Sequence, residues 1–199
     1  MKLRNCIWLL LALLALASCK EEDDAVEEYA NWQSTNDEYF SRLVSDVQKS
    51  SSLNVWELIP CYTVPTVGYT LNYYDNIVAE KLEQGSGTTS PLLTDSVTVH
   101  YTGRLLPSAS YPQGYQFDSS YAGTFDAVTA TPTKFAVTSV VKGFSTALMH
   151  MHRGDHWRIY IPYQLGYGSV AKSSVPAYST LIFDLRLEDF WRKTKGDRE

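Results

Sequence analysis

The sequence predicts an α+β fold, one short helix lying across an antiparallel sheet, with a separate helical segment ahead of it. Three observations carry that prediction. Apolar and polar residues alternate over 97–101, 157–161 and 181–187. Apolar residues recur at helical spacing in Phe144, Ala147, Leu148 and Met151. A helical stripe also runs through residues 25–49, a stretch without proline or glycine.

In chain order, Lys2 and Arg4 precede an apolar run from Ile7 to Ala17 that ends Leu16-Ala17-Ser18-Cys19. A helix crossing the hydrocarbon core needs roughly twenty apolar residues. This run falls well short, so it reads as a secretory signal rather than a span. Small residues immediately before a cysteine resemble the bacterial lipobox, which implies cleavage ahead of Cys19 and acylation of that residue. Residues 1–18 are then a lipoprotein signal peptide, and the protein meets the lipid bilayer through acylated Cys19. Lys20-Glu21-Glu22-Asp23-Asp24 makes residues 19–24 an acidic tether. A lysine followed by acids there also resembles the export signal of gram-negative surface lipoproteins. The expected location is the cell envelope, at the outer membrane, facing the periplasm or exposed at the surface.

Residues 25–69 form a helical segment and connector. Val26, Tyr29, Trp32, Phe40, Leu43, Val44 and Val47 make the stripe, and Ser34-Thr35-Asn36-Asp37 interrupts it as a cap that divides the helix in two. The segment either binds a partner or docks on its own domain, and docking is the expected outcome. Ser50-Ser51-Ser52, Pro60 and Pro65 mark a connection, but Trp56, Leu58, Ile59 and Tyr62 are too apolar for a free linker. Cys61 beside Pro60 reads as a buried inert thiol.

The sheet-forming region spans residues 70–191, with a charged tail over 192–199. Ile77-Val78-Ala79-Glu80-Lys81-Leu82-Glu83 reads as a strand closed by Gly85-Ser86-Gly87. Val97, Val99 and Tyr101 share one face of the next strand, opposite Thr98, His100 and Thr102. Trp157, Ile159 and Ile161 alternate with Arg158 and Tyr160. Leu181, Phe183, Leu185 and Leu187 alternate with Ile182, Asp184 and Arg186. These inward faces must share one core with the helix that starts near Gly143.

Composition narrows the function. The 199 residues carry 17 Lys+Arg against 22 Asp+Glu, a formal charge of -5, and 13% are aromatic. That aromatic content argues for a packed core rather than disorder. The acidic balance lacks the basic footprint of a nucleic-acid binder. No Gly-x-Ser-x-Gly elbow or complete phosphate loop occurs. His150-Met151-His152 is the one metal-like cluster, but its side chains diverge at a helix end and it reads as solvated turn histidines.

Five collinear segments resemble the FKBP-type peptidyl-prolyl isomerases. They are Val97-Thr98-Val99-His100-Tyr101-Thr102-Gly103, Phe117-Asp118-Ser119-Ser120, Val140-Val141-Lys142-Gly143-Phe144, Ile161-Pro162 with Gly166-Tyr167-Gly168, and Val175-Pro176 followed by Thr180-Leu181-Ile182-Phe183-Asp184. The resemblance implies a strongly bent sheet wrapped round the helix. It also implies catalysis of rotation about Xaa-Pro bonds in extracytoplasmic proteins, with no cofactor, metal or nucleophile. That rotation faces a barrier of about 18–20 kcal/mol. A pocket that favours the twisted imide over the planar one, and withholds water from it, lowers the barrier.

Carried over residue by residue, the resemblance makes Tyr101, Phe117, Asp118, Tyr167 and the backbone N–H of Val141 catalytic. Phe117 would form a wall for the proline ring, and Asp118 would line the carbonyl side and reach the Tyr101 hydroxyl. Val140, Phe144, Val175 and Phe183 would bind substrate, with Phe144 as the floor. The partners implied are proline-containing protein chains, with macrolide ligands as other occupants of the pocket. Phe144 replaces the family's usual tryptophan, and Phe135 is the one aromatic retained ahead of the helix. The connections from Leu106 to Gln116 and from Tyr121 to Pro132 are longer than usual and would lie near the mouth. The alternative reading is a catalytically weak binding module or chaperone of the same fold on the cell envelope.

Overall fold

A computed structural model describes residues 27–50, 55–65 and 67–192. The signal peptide, Cys19, the acidic tether and residues 193–199 of the tail lie outside the described residues. The alternating segments become one antiparallel sheet. Its strands are β1 (Trp56–Pro60), β2 (Asn76–Glu83), β3 (Ser96–Arg104), β4 (Gln116–Ser119), β5 (Thr133–Ala136), β6 (His156–Ile161) and β7 (Leu181–Trp191). The order is β1-β2-β6-β7-β3-β4, with β5 also paired to β3. Register shifts at Lys81/Glu83, Thr98/Val99 and Gly103/Arg104 insert bulges, which bend a sheet and increase its twist.

Among the described residues, two α-helices cover the sheet, α1 (Trp32–Lys49) and the short α2 (Lys142–Leu148). The inner face wraps α2, whose Phe144, Ala147 and Leu148, followed by Met151, pack against Ile77, Val97, Val99, Ile159, Ile161, Leu185 and Leu187. The approach is close at Gly143. A Cβ built there would sit 2.3 Å from Ile161 Cγ2, so only glycine lets the helix lie this near the sheet.

The outer face of β1, β2 and β6 is covered by α1. Phe40, Val44 and Val47 pack on Val78 and Tyr160, with Trp56 and Leu58 alongside. Alternation made these strands half-buried; α1 buries Val78 and Tyr160 on the second face as well. Docking on its own domain is therefore the fate of the N-terminal helix. The expected break at Ser34-Thr35-Asn36-Asp37 does not occur. The hydroxyls of Ser34 and Thr35 bond back to Asn31 O at 2.8 and 3.1 Å, a local satisfaction that keeps these residues inside the first turns. Asn36 is 1% exposed and stands in the stripe between Trp32 and Phe40. Its side chain is held by one tertiary hydrogen bond and one to the preceding turn, so it serves the buried face instead of ending the helix.

The connector also holds more structure than its sequence predicts. Trp56–Pro60 pairs with β2 along its whole length, with Pro60 at the end of an edge strand where its missing N–H is tolerated. Alternation is absent there because Trp56 and Leu58 pack toward α1 while Ile59 enters the main core. Cys61 is buried, as expected, with its Sγ 3.2 Å from Thr63 Oγ1. On β3, His100 is 4% exposed beneath Tyr121 and Phe125, whose ring centroids lie 6.4 and 5.0 Å away.

Candidate functional site

Where the bent sheet opens around the start of α2, residues of β3, β4, β5, β7, α2 and the connections beside them leave a cavity of about 430 Å³. Its floor is Phe144, brought inward by the helical spacing that also buries Ala147 and Leu148. Three rings meet Phe144 edge-on: Phe183 of β7 at 5.0 Å, and Tyr101 of β3 and Phe135 of β5 each at 5.9 Å. Edge-to-face contacts of this kind add to area burial and fix ring orientation. The result is an apolar box of defined shape. A 3₁₀ turn over Val137–Ser139 then brings Val140 and Val141 to the rim at the head of α2. The Val141 carbonyl accepts from Ser145 N–H, and its own N–H donates in none of the hydrogen bonds among the described residues.

Polar groups occupy one side. The Tyr101 hydroxyl donates to Asp118 Oδ2 at 3.0 Å, and Asp118 Oδ1 accepts from the Ser119 N–H at 2.8 Å. Ser120 completes the joint: its Oγ accepts from Tyr101 N–H and its N–H donates to Tyr101 O, both at 2.9 Å. Asp118 is exposed at this rim, so its charge is solvated as well as hydrogen-bonded. Burial, followed by the bond to the Asp118 carboxylate, pushes the Tyr101 phenol well above its ordinary value. Burial first, then the Asp118 charge, also raises Tyr167. Both phenols therefore remain O–H donors at neutral pH.

Most of the predicted site comes together. Tyr101, Asp118, Val140, Val141, Phe144, Tyr167 and Phe183 line the one cavity. Phe117 and Val175 do not. Phe117 stands on β4 next to Asp118 and packs edge-on against Phe183 at 5.5 Å, above Gly103. It contacts a wall residue and does not itself line the cavity. Val175 is 4% exposed and belongs to the core, where its backbone pairs with Lys172. Two lining residues were absent from the predicted site. Phe135 was legible as the aromatic retained ahead of the helix, whereas Ser139 reaches the rim through the 3₁₀ turn and no sequence pattern marks it.

Neither long connection contributes a lining residue. The first packs Tyr111 on Tyr115 and receives Glu28 at Ser108 and Ser110. The second lies over His100, on the face opposite Tyr101. The histidine cluster diverges: His150 Nδ1 meets Thr146 O at 2.9 Å, while His152 faces Asp155. Among the described residues, no three metal-ligating side chains converge.

Chemically, the site offers an apolar aromatic box with two phenols and a carboxylate along one edge. Comparison with known proteins points the same way. The family model of the FKBP-type peptidyl-prolyl cis-trans isomerase matches residues 87–188. The macrophage infectivity potentiator of Trypanosoma cruzi is 35% identical over 139 residues, covering 62% of this chain and 65% of that protein. The FKBP-type 22 kDa peptidyl-prolyl cis-trans isomerase of Escherichia coli is 39% identical over 107 residues, covering 53% and 46%. This chain thus spans only 46–65% of the length of those two relatives. Among solved structures, a peptidyl-prolyl cis-trans isomerase from Pseudomonas syringae pv. tomato aligns with a TM-score of 0.55 at 22% identity, over 79% of this chain and 95% of that one. FkpA from Escherichia coli aligns with a TM-score of 0.56, also at 22% identity, over 96% and 73%. The structural likenesses speak to the fold. The family match extends over just more than half of the chain, and most of the motif residues line one cavity; the chain belongs to the FKBP-type peptidyl-prolyl cis-trans isomerase family.

Proposed function

We propose that the protein catalyses cis–trans rotation about Xaa-Pro bonds in proteins outside the cytoplasm, held to the envelope by acyl chains on Cys19. The observation that carries this is the edge-to-face box of Tyr101, Phe135, Phe144 and Phe183, open at a rim that bears Tyr167 and the Tyr101–Asp118 pair. A proline ring seated on Phe144 lies against apolar walls, where its imide loses the water that stabilises the planar, charge-separated form. The Tyr167 hydroxyl and the Val141 N–H serve as donors to substrate carbonyls, and Asp118 orients the Tyr101 hydroxyl. These fixed donors hold the chain on either side of the bond while it twists, so the pocket binds the twisted state better than the planar one. A macrolide would compete for the same cavity.

The test is protease-coupled turnover of an Xaa-Pro tetrapeptide, together with refolding of a protein limited by proline isomerisation. The expected result is acceleration of both, with Tyr167→Phe and Phe144→Ala each lowering kcat/KM. Rates at background in both assays would overturn the proposal and leave a binding module. Cys19→Ala should release the protein from membranes, and membrane retention of that variant would overturn the anchor.

A further inference from the structure

The loop that carries Tyr167 is held from outside the sheet. Between the 3₁₀ turn at Tyr163–Leu165 and the start of β7, the chain runs through Gly166, Tyr167, Val175 and Ser179 without regular structure. The first turns of α1 reach across to its far end. Trp32 Nε1 donates to Ser179 Oγ at 2.8 Å in a buried contact, and Ser179 Oγ donates onward to Pro176 O at 2.7 Å. One turn further along α1, Asn36 Oδ1 accepts the Thr180 backbone N–H at 2.7 Å while its Nδ2 donates to Trp32 O at 2.7 Å.

The backbone just ahead of these anchors is strained. Tyr178 has φ 63°, in the left-handed region that a bulky side chain rarely occupies. Such a conformation persists only where its surroundings over-determine it. Here the Tyr178 N–H donates to Gly168 O at 2.9 Å, its ring packs on Tyr163 at 5.2 Å, and Ser179 and Thr180 are fixed by α1. Gly168 directly follows Tyr167, and Thr180 lies three residues ahead of Phe183. The hydrogen bonds from α1 therefore bear on two lining residues of the cavity, although α1 contributes none itself.

We infer that Trp32 and Asn36 are positioning residues: the first turns of α1 brace the 166–180 loop and thereby set where Tyr167 meets the substrate. The inference rests on the isomerase reading for its kinetic consequence only. Trp32→Phe keeps the ring and removes the indole donor, and Ser179→Ala removes the acceptor without touching α1. Each should lower kcat/KM on the Xaa-Pro tetrapeptide about three- to tenfold, as expected for the loss of one or two buried hydrogen bonds. The loss should be carried by KM, and the double variant should be no worse than either single one, because both act through one link. Glu38→Ala, on the exposed side of α1, is the control and should leave both constants unchanged.

Amide hydrogen exchange gives the second readout. In Trp32→Phe and in Asn36→Leu, the Tyr178 and Thr180 amides should exchange at least tenfold faster, while those of Ile159 and Leu185 stay protected. Unchanged loop amides, uniform acceleration through the sheet, or additive kinetic losses would each overturn the brace. If the unmodified protein accelerates neither peptide nor protein, the isomerase reading falls alone, and the exchange pattern still decides the brace.

Discussion

The two faces of the sheet are buried by different means. The inner face closes on α2, a helix of seven residues that carries its own apolar stripe, and the strands facing it present Val97, Val99, Ile159, Ile161, Leu185 and Leu187 in strict alternation. The outer face is closed by chain from two remote places: α1 over β1, β2 and β6, and Tyr121 with Phe125 over His100. The inner face leaves a shaped gap where the aromatic box opens, and the outer face leaves none with that chemistry. One surface therefore carries the site while the other holds the sheet, and through Trp32 and Asn36 it steadies one loop of the site.

Truncating one large ring on each side breaks the comparison most sharply. Phe144→Ala and Phe40→Ala should each cost about 3–5 kcal/mol, as for other buried phenylalanines, read by urea unfolding. Only Phe144→Ala should abolish peptide turnover, because Phe40 sits between α1 and the outer sheet face. Equal activity losses in the folded fraction would mean that the faces are not functionally separate.

A smaller effect is expected at Gly103, where a Cβ would lie 2.7 Å from both Phe117 Cζ and Phe183 Cε1. Gly103→Ala must push those rings, costing about 1–3 kcal/mol as overpacking does. It should also lower kcat/KM, because Phe183 lines the cavity; retention of full activity would show that the Phe117 support is dispensable. Tyr101→Phe removes one hydrogen bond at the rim. It should lower kcat/KM roughly two- to tenfold with little change in unfolding midpoint, and an unchanged rate would remove the Tyr101–Asp118 pair from the machinery.

The smallest effect belongs to the outer face. Arg186 forks onto Glu83 with two contacts of 2.9 Å and lies 4.7 Å from the Phe125 ring centre, so this pair steadies the cover over His100. The hydrogen bonds from Arg186, then from His156, lower the Glu83 carboxyl from its usual 4.5 to about 2. A depressed folded-state value means that the pair stabilises above pH 4.5, and that this contribution fades as pH falls toward about 2. Glu83 is largely solvated, so the contribution is at most about 1 kcal/mol. Glu83→Gln should remove that acid dependence from the unfolding profile while leaving turnover at neutral pH unchanged.

Legibility in the sequence followed the same division. The inward residues of β3, β6 and β7 and the stripe of α2 were readable because local periodicity reports a face buried by neighbours in the same core. The residues Tyr101, Asp118, Val140, Val141, Phe144, Tyr167 and Phe183 were readable from motif context. Phe117 and Val175 stand outside the lining because a motif fixes backbone position, while the depth of a side chain depends on what packs beside it. Phe117 packs edge-on against Phe183 outside the lining, and Val175 lies in the core.

By itself, then, the sequence determined the antiparallel sheet around a short helix, since both follow from side-chain periods of 2 and 3.6 acting over a few residues, while the place of Phe144 in the pocket came from the family resemblance. Tertiary structure alone decided that Asn36 stays inside an unbroken helix, that Trp56–Pro60 joins the sheet, that His100 is covered, and that α1 grips the Tyr167 loop. Each of these depends on a partner outside the local stretch of chain, from β2 for Trp56–Pro60 to the Thr180 N–H for Asn36. A hydrogen bond or an apolar contact made across that distance leaves no periodic trace in the chain that makes it.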